Sequence, residues 1–153
     1  MDRHDAIAKP PELVTRAFGI EIGADTDMRA LFADPGALAR LEEAIAPDAV
    51  VEFATPDGGF VGDMGGPFRG LDGLREGWAE WLAPWESFTF HAADIADAGE
   101  GRVLLLGETH ARLASGVEVE AHVGAAYTIR DGRIVLIQHF LDQDQARRAV
   151  GLA

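Results

Sequence analysis

In the run "GRIVLIQHFLD", from Gly132 to Asp142, a single imidazole, His139, sits among Val135, Ile137, Phe140 and Leu141. With an ordinary pKa of about 6.5, histidine suits proton transfer near neutrality better than any other side chain. An imidazole buried without a hydrogen-bonding partner loses roughly 1–3 kcal/mol. His139 is therefore either a satisfied core residue or the polar point of a ligand pocket. The segment "GRVLLLGETHAR" carries two further groups of interest, Glu108 and His110. A carboxylate in low dielectric has a raised pKa, or it orients a neighbouring histidine. Two histidines and one carboxylate are also a donor set for a metal ion. The chain contains no cysteine, which excludes disulfides, thiolate ligands and a cysteine nucleophile. It shows no glycine-rich phosphate loop, serine elbow or nucleotide fingerprint, and no cofactor is expected.

The elements that must hold these groups come from 153 residues, of which 48% are hydrophobic. That is enough to bury one sizeable core, and the length fits one domain of about 100–200 residues. Thirteen basic against 26 acidic residues leave a net charge of −13, which repels phosphate backbones and anionic headgroups. Neither nucleic acid nor a membrane surface is an expected partner. The first residues, "MDRHDAIAKPPELV", lack the apolar run of a signal peptide, and no stretch of about 18 apolar residues could span a bilayer. A cytoplasmic protein is the default expectation.

Residues 1–10 read as a flexible leader and 11–153 as a single domain. A helix starts near Glu12 behind Pro10 and Pro11, with Leu13, Val14, Ala17 and Phe18 at helical spacing. Asp25 to Ala46 reads as helix interrupted before Pro35, with Asp34 as N-cap and Leu38, Leu41 and Ile45 as the buried stripe. A short strand from Ala49 to Thr55 follows, and then a glycine-rich stretch from Asp57 to Gly70 of the kind that forms a pocket mouth or a plain connection. "GLDGLREGWAEWLAPW" is an amphipathic helix that turns Leu74, Trp78, Trp81 and Leu82 inward. From Ser87 onward the period changes to two. Four alternating segments, separated by turns at Gly99–Gly101, Ser115–Gly116 and Asp131–Gly132, predict an antiparallel meander closed by a short helix. Helices first and strands after them is the α+β order.

The stretches "APDAVVEF", "FRGLDGLREGWAEWLAPW", "SGVEVEAHVGAAYTIRDGRIVLIQHFLD" and "ARRAVGLA", in this order, resemble the SnoaL-like branch of the nuclear transport factor 2-like superfamily, which also holds ketosteroid isomerases and scytalone dehydratases. The resemblance runs from about Ala46 to Ala153. It implies a cone: a strongly curved antiparallel sheet wrapped around a pocket, with N-terminal helices and a short C-terminal helix. It also implies a homodimer joined through the outer sheet face.

Alternation along strands lets one inward position fix the rest. Aligned on Gly116 and Gly132, isomerase-like members carry an inward acidic residue at the position of Ala125. By that alignment Val119, Ala121, Val123, Ala125 and Tyr127 face the pocket, with Glu118, Glu120 and His122 outside. Ile137, His139 and Leu141 also point inward, as do Leu104, Leu106, Glu108 and His110, the last nearer the hairpin end and more exposed. His139 falls where polyketide cyclases carry a catalytic aspartate. The isomerase base falls on Phe53 and its acid on Ala125, so neither group is present. The turns place Glu108 opposite Ala121 and His139 opposite Gly124, which separates them by roughly 10 Å along the strands and roughly 10 Å across. Ligands must sit about 2.0–2.2 Å from a metal, so no metal site is expected.

The reading that results is a cofactor-independent enzyme doing acid/base chemistry of cyclase, isomerase or dehydratase type on a hydrophobic carbonyl compound. His139 is its acid or base and Glu108 an orienting partner. Trp78, Trp81, Tyr127, Phe53, Ile137, Leu106, Ala125 and His110 bind substrate. The alternative is a non-catalytic binding or dimerising accessory protein for an apolar ligand.

Overall fold

A computed structural model describes residues 9–54, 60–61 and 68–152; most of the leader and most of the glycine-rich stretch lie outside the described residues. Helix α1, Pro10–Phe18, opens on two prolines whose missing N–H groups fall where a helix has no acceptor for them, and it buries Val14, Ala17 and Phe18. Strand β1, Asp25–Asp27, is too short to carry a periodic pattern and stands where helix was predicted. Asp27 then caps α2, Met28–Ala33, its Oδ1 accepting from the N–H groups of Arg29 and Ala30. Asp34 caps α3, Pro35–Ala44, in the same way, which places cap and first-turn proline as the sequence reading has them. The strand predicted from Ala49 is longer: β2 runs Ile45–Ala54.

Short strands β3, Phe60–Val61, and β4, Phe68–Arg69, both pair with β2. Helix α4, Gly70–Leu82, follows and buries Leu74, Trp78 and Leu82. The meander is β5, Trp85–Gly99, β6, Arg102–Leu113, β7, Glu118–Arg130, and β8, Arg133–Phe140, and α5, Gln143–Ala149, ends the fold. The sheet order is β1-β5-β6-β7-β8-β2-β3. The fold is α+β, a cone-like curved sheet with helices across its mouth. One pairing, β2 with β8, is parallel, so the sheet is mixed.

Register irregularities bend the sheet: three along β5 against β6, one between Thr128 and Ile129, and one in β2. The concave face meets α1 to α4 over the main core, where Val14, Leu41, Val51, Leu74, Val103, Ile134 and Ile137 are fully buried. Removing each such side chain from water contributes about 1.5–3 kcal/mol. Arg29 ties this layer together by donating from Nη2 to the carbonyls of Leu82, 2.8 Å, and Trp85, 2.6 Å, at the end of α4 and the start of β5. Among the described residues no helix is long and apolar enough to cross a membrane.

A second, smaller core lies on the convex face, where Leu104, Leu106, Ala126 and Phe140 meet Ala146 and Val150. Gln143 clasps the bend by donating from Nε2 to the carbonyls of Gly107, 3.2 Å, and Val123, 3.3 Å, residues paired across β6 and β7. Gly124 lets α5 lie directly on β7, because a Cβ there would stand 2.6 Å from Ala146 Cβ and 3.1 Å from Leu106 Cδ2. Gly124→Ala is therefore expected to lower unfolding free energy by about 1–3 kcal/mol in urea titration. Gly124→Ala/Ala146→Gly, which moves the methyl group to the other side of the contact, should lose less than the two single changes added together.

Candidate functional site

Between the concave face and helices α1, α2 and α4 lies a cavity of about 290 Å³, at the small end of the roughly 300–1,000 Å³ usual for ligand pockets. All three tryptophans, Trp78, Trp81 and Trp85, the only tyrosine, Tyr127, and the rings of Phe18, Phe53, Phe88 and Phe90 line it, while Phe140 borders it from β8 with its ring packed in the convex core. The remaining described wall is aliphatic apart from Thr109 and His139, and among the described residues none that lines the cavity carries a charge. Val119 and Leu141 line it too while staying 42% and 38% exposed, which marks them as its rim.

Six elements, α1, β2, α4, β5, β7 and β8, bring the rings together. Trp78 and Trp81 are three residues apart on α4 and so share a face of that helix. Phe53 on β2 pairs in register with His139 on β8, and His139 pairs with Ala125 on β7. The imidazole lies flat on Phe53, with centroids 4.4 Å apart and planes 14° apart. Trp81 stacks with Phe53 at 5.6 Å and 24°. Trp78 stands perpendicular to His139, at 5.2 Å and 89°.

His139 is partly accessible, yet its Nδ1 is sealed and has no hydrogen-bond partner among the described residues. Trp78 Nε1 is in the same condition. With Nδ1 sealed, Nε2 is the ring nitrogen that can meet a ligand. Burial lowers the His139 pKa to about 4, since taking an imidazolium out of water outweighs the favourable backbone contact with Glu52. The ring is neutral at physiological pH, which makes it a proton acceptor. Burial pushes the Tyr127 phenol above its usual range, so it stays a neutral O–H.

Six of the residues predicted from sequence meet at this cavity: His139, Trp78, Trp81, Tyr127, Phe53 and Ala125. Four do not. Ile137 points inward but is wholly packed in the core and does not border the cavity. Leu106 lies on the convex face under α5. Glu108 and His110 are on the convex face as well, half-exposed, with Glu108 3.6 Å from both His110 and His122, and His110 3.1 Å from Glu120. The cause is one residue of register. The turn after β6 leaves Ala114 to Gly116 between Leu113, whose N–H donates to the Val117 carbonyl, and its partner. Glu108 then faces His122 instead of Ala121, and a slip of one residue turns every side chain of a strand to the other face. Hence Leu105, Thr109 and Ala111 point inward on β6, and Thr109, missed in the sequence reading, supplies a hydroxyl to the wall. The alternation in "SFTF" already carried Phe88 and Phe90, and reading β5 against the corrected β6 would have found them.

A family model for the SnoaL-like domain matches residues 27–137. The chain belongs to the SnoaL-like family. Solved structures similar to this SnoaL-like protein include an NTF2-like protein from Burkholderia thailandensis E264 (20% identity over 94% of this chain and 98% of that one, TM-score 0.65). A proposed SnoaL-like polyketide cyclase from Jannaschia sp. CCS1 shares 14% identity over 100% of this chain and 99% of its own, with a TM-score of 0.65. TerC, co-crystallised with polyporic acid, shares 16% identity over 93% and 98%, with a TM-score of 0.61. No curated protein matches the chain significantly.

The depressed imidazole pKa sets a stability signature. Above pH 6.5 neither folded nor unfolded protein protonates this residue, and its full stabilisation is present. Between pH 6.5 and about 4 the unfolded chain takes up a proton that the folded one refuses, so stability falls as pH falls. Urea midpoints measured from pH 7 to 4.5 should drop more steeply for the wild type than for His139→Phe, the two curves diverging by at most about 3 kcal/mol. Parallel curves would contradict the buried neutral state.

Proposed function

We propose that this SnoaL-like protein is a cofactor-independent enzyme that moves a proton on a neutral, hydrophobic carbonyl compound, with His139 as its base. The observation that supports this is the one partly accessible imidazole, held neutral, in a wall of aromatic and aliphatic side chains. In this reading Nε2 takes a hydrogen from the carbon next to the substrate carbonyl. The C–H electron pair becomes an enolate whose charge gathers on oxygen. The imidazolium then returns its proton to another carbon in an isomerisation, to the alkoxide formed when the enolate carbon attacks a second carbonyl in a cyclisation, or to a hydroxyl that leaves as water in a dehydration. Hydroxyl donors for that oxygen are Tyr127 and Thr109.

A base of pKa near 4 is weak, and each unit of mismatch with a carbon acid costs about 1.4 kcal/mol. The enolate formed beside the imidazolium offsets part of this by ion pairing in low dielectric. The substrate must still be activated, as in a hydrogen flanked by two carbonyls of a polyketide-like molecule. An uncharged wall in a chain of net charge −13 also selects against anionic substrates. That TerC was co-crystallised with polyporic acid supports small-molecule binding in this fold. In the same reading two copies pair in the cytoplasm through the part of the convex face that α5 leaves uncovered.

One observation favours a second reading, a non-catalytic carrier of an apolar ligand: among the described residues no carboxylate reaches the cavity to orient the imidazole. The test is a neutral 1,3-dicarbonyl panel followed by tryptophan quenching and by product analysis. The enzyme reading expects His139→Ala to lower kcat/KM by about 10²–10⁴ with ligand affinity changed only a few-fold. Unchanged turnover in a folded variant overturns the role of His139, and tight binding without product over hours supports the carrier.

A further inference from the structure

Glycine in a helix interior costs stability relative to alanine, because the unfolded chain gives up more freedom and gains no side-chain packing. Gly77 nevertheless occupies the middle of α4, fully inside the fold. A Cβ at this position would stand 2.5 Å from Phe53 Cε1, 3.1 Å from Phe53 Cζ and 3.2 Å from Phe68 Cδ2. Phe53 cannot swing aside to make room. It is 3% exposed and packed face on against His139 at 4.4 Å, with Trp81 at 5.6 Å, Trp78 at 5.9 Å and Phe68 at 6.1 Å.

On the other side of this ring, the imidazole lacks the hydrogen-bonded acceptor at Nδ1 that commonly sets the plane of a working histidine. Its plane is held by flat contact with Phe53 and the perpendicular brace of Trp78, beside the backbone contact with Glu52. We infer that Gly77 is a positioning residue: its missing side chain seats Phe53 against α4, and Phe53 in turn fixes the imidazole plane that presents Nε2 to the cavity. The functional consequence rests on the reading of His139 as the base, but the positioning itself can be tested without any turnover.

The experiment is NMR on the full chain carrying labelled histidine, with the His139 ring signals assigned by their loss in His139→Gln. In the wild type, the face of Phe53 shifts the ring protons of His139 upfield. Gly77→Ala is expected to move them back downfield while the signals of His91, His110 and His122, on the convex side, stay in place. Phe53→Leu, which removes the stacking ring, should move the same signals. Gly77→Ala/Phe53→Leu should recover the thermal stability lost in Gly77→Ala, since Leu lacks the crowded ring atoms, and still keep the displaced His139 signals. A merely structural glycine would cost stability in Gly77→Ala and leave its His139 signals in place. A folded Gly77→Ala with His139 signals unmoved overturns the inference. Should Gly77→Ala fail to fold, wild-type His139 signals in Phe53→Leu, or no recovery of folding in the double variant, overturn it as well. Loss of catalysis in the His139→Ala experiment bears on the proposed reaction alone.

Discussion

A desolvated imidazole lying on a phenyl ring imposes its terms on everything around it. Charge on the ring would have to be stabilised by a neighbouring anion, and none of the described lining residues supplies one. The ring is therefore neutral, and the surroundings that keep it so must be dry and uncharged over the whole concave face. That requirement explains the segregation of side chains in this chain. A quarter of its residues are charged, yet the buried set contains no charged or polar residue among those described. The aromatic residues, 8% of the chain, are concentrated in one wall.

The two faces of β6 and β7 show how little separates chemistry from surface. Glu108, His110, Glu120 and His122 are side chains of the types from which active sites are built, and they sit within 3.1–3.6 Å of one another. On the convex face, between near-half and three-quarters exposed, they are screened by water, and pairs of this kind are worth about 0–1 kcal/mol. Among the described residues no group of three or more such side chains is arranged to hold a metal ion. His139, one strand further on and on the other face, has no charged neighbour among the described residues of the cavity wall, and burial lowers its proton affinity. Burial, and not the density of titratable groups, singles out the site.

Much of this was legible in the sequence. The helix with Leu74, Trp78 and Leu82 inward, the cap at Asp34, and the four-strand meander all follow from local chemistry that acts over a few residues. The resemblance sets the parity at Ala125, and alternation along the long strands β7 and β8 carries it to Tyr127 and His139. What failed depended on single residues or on distance. A three-residue turn in place of a two-residue one inverted β6 and carried Glu108, His110 and Leu106 to the wrong side. Three residues, Asp25 to Asp27, hold too little pattern to announce a strand whose existence depends on β5, more than sixty positions away. The parallel pairing of β2 with β8 spans most of the domain and has no local signature.

The unsatisfied nitrogens then distinguish a pocket from ordinary packing. A core histidine earns its place by bonding both nitrogens, and leaving a buried polar atom unpaired costs about 1–3 kcal/mol. Here two such atoms, His139 Nδ1 and Trp78 Nε1, belong to rings in contact, at the wall of one cavity. Against a total stability of roughly 5–15 kcal/mol this is a large concession for packing alone, because leucine or phenylalanine at either position would fill the space without it. Local rules of folding are broken most often where a site is kept ready for something other than folding. On that argument the strained pair and the cavity are one feature, and the aromatic wall exists to hold the pair in place.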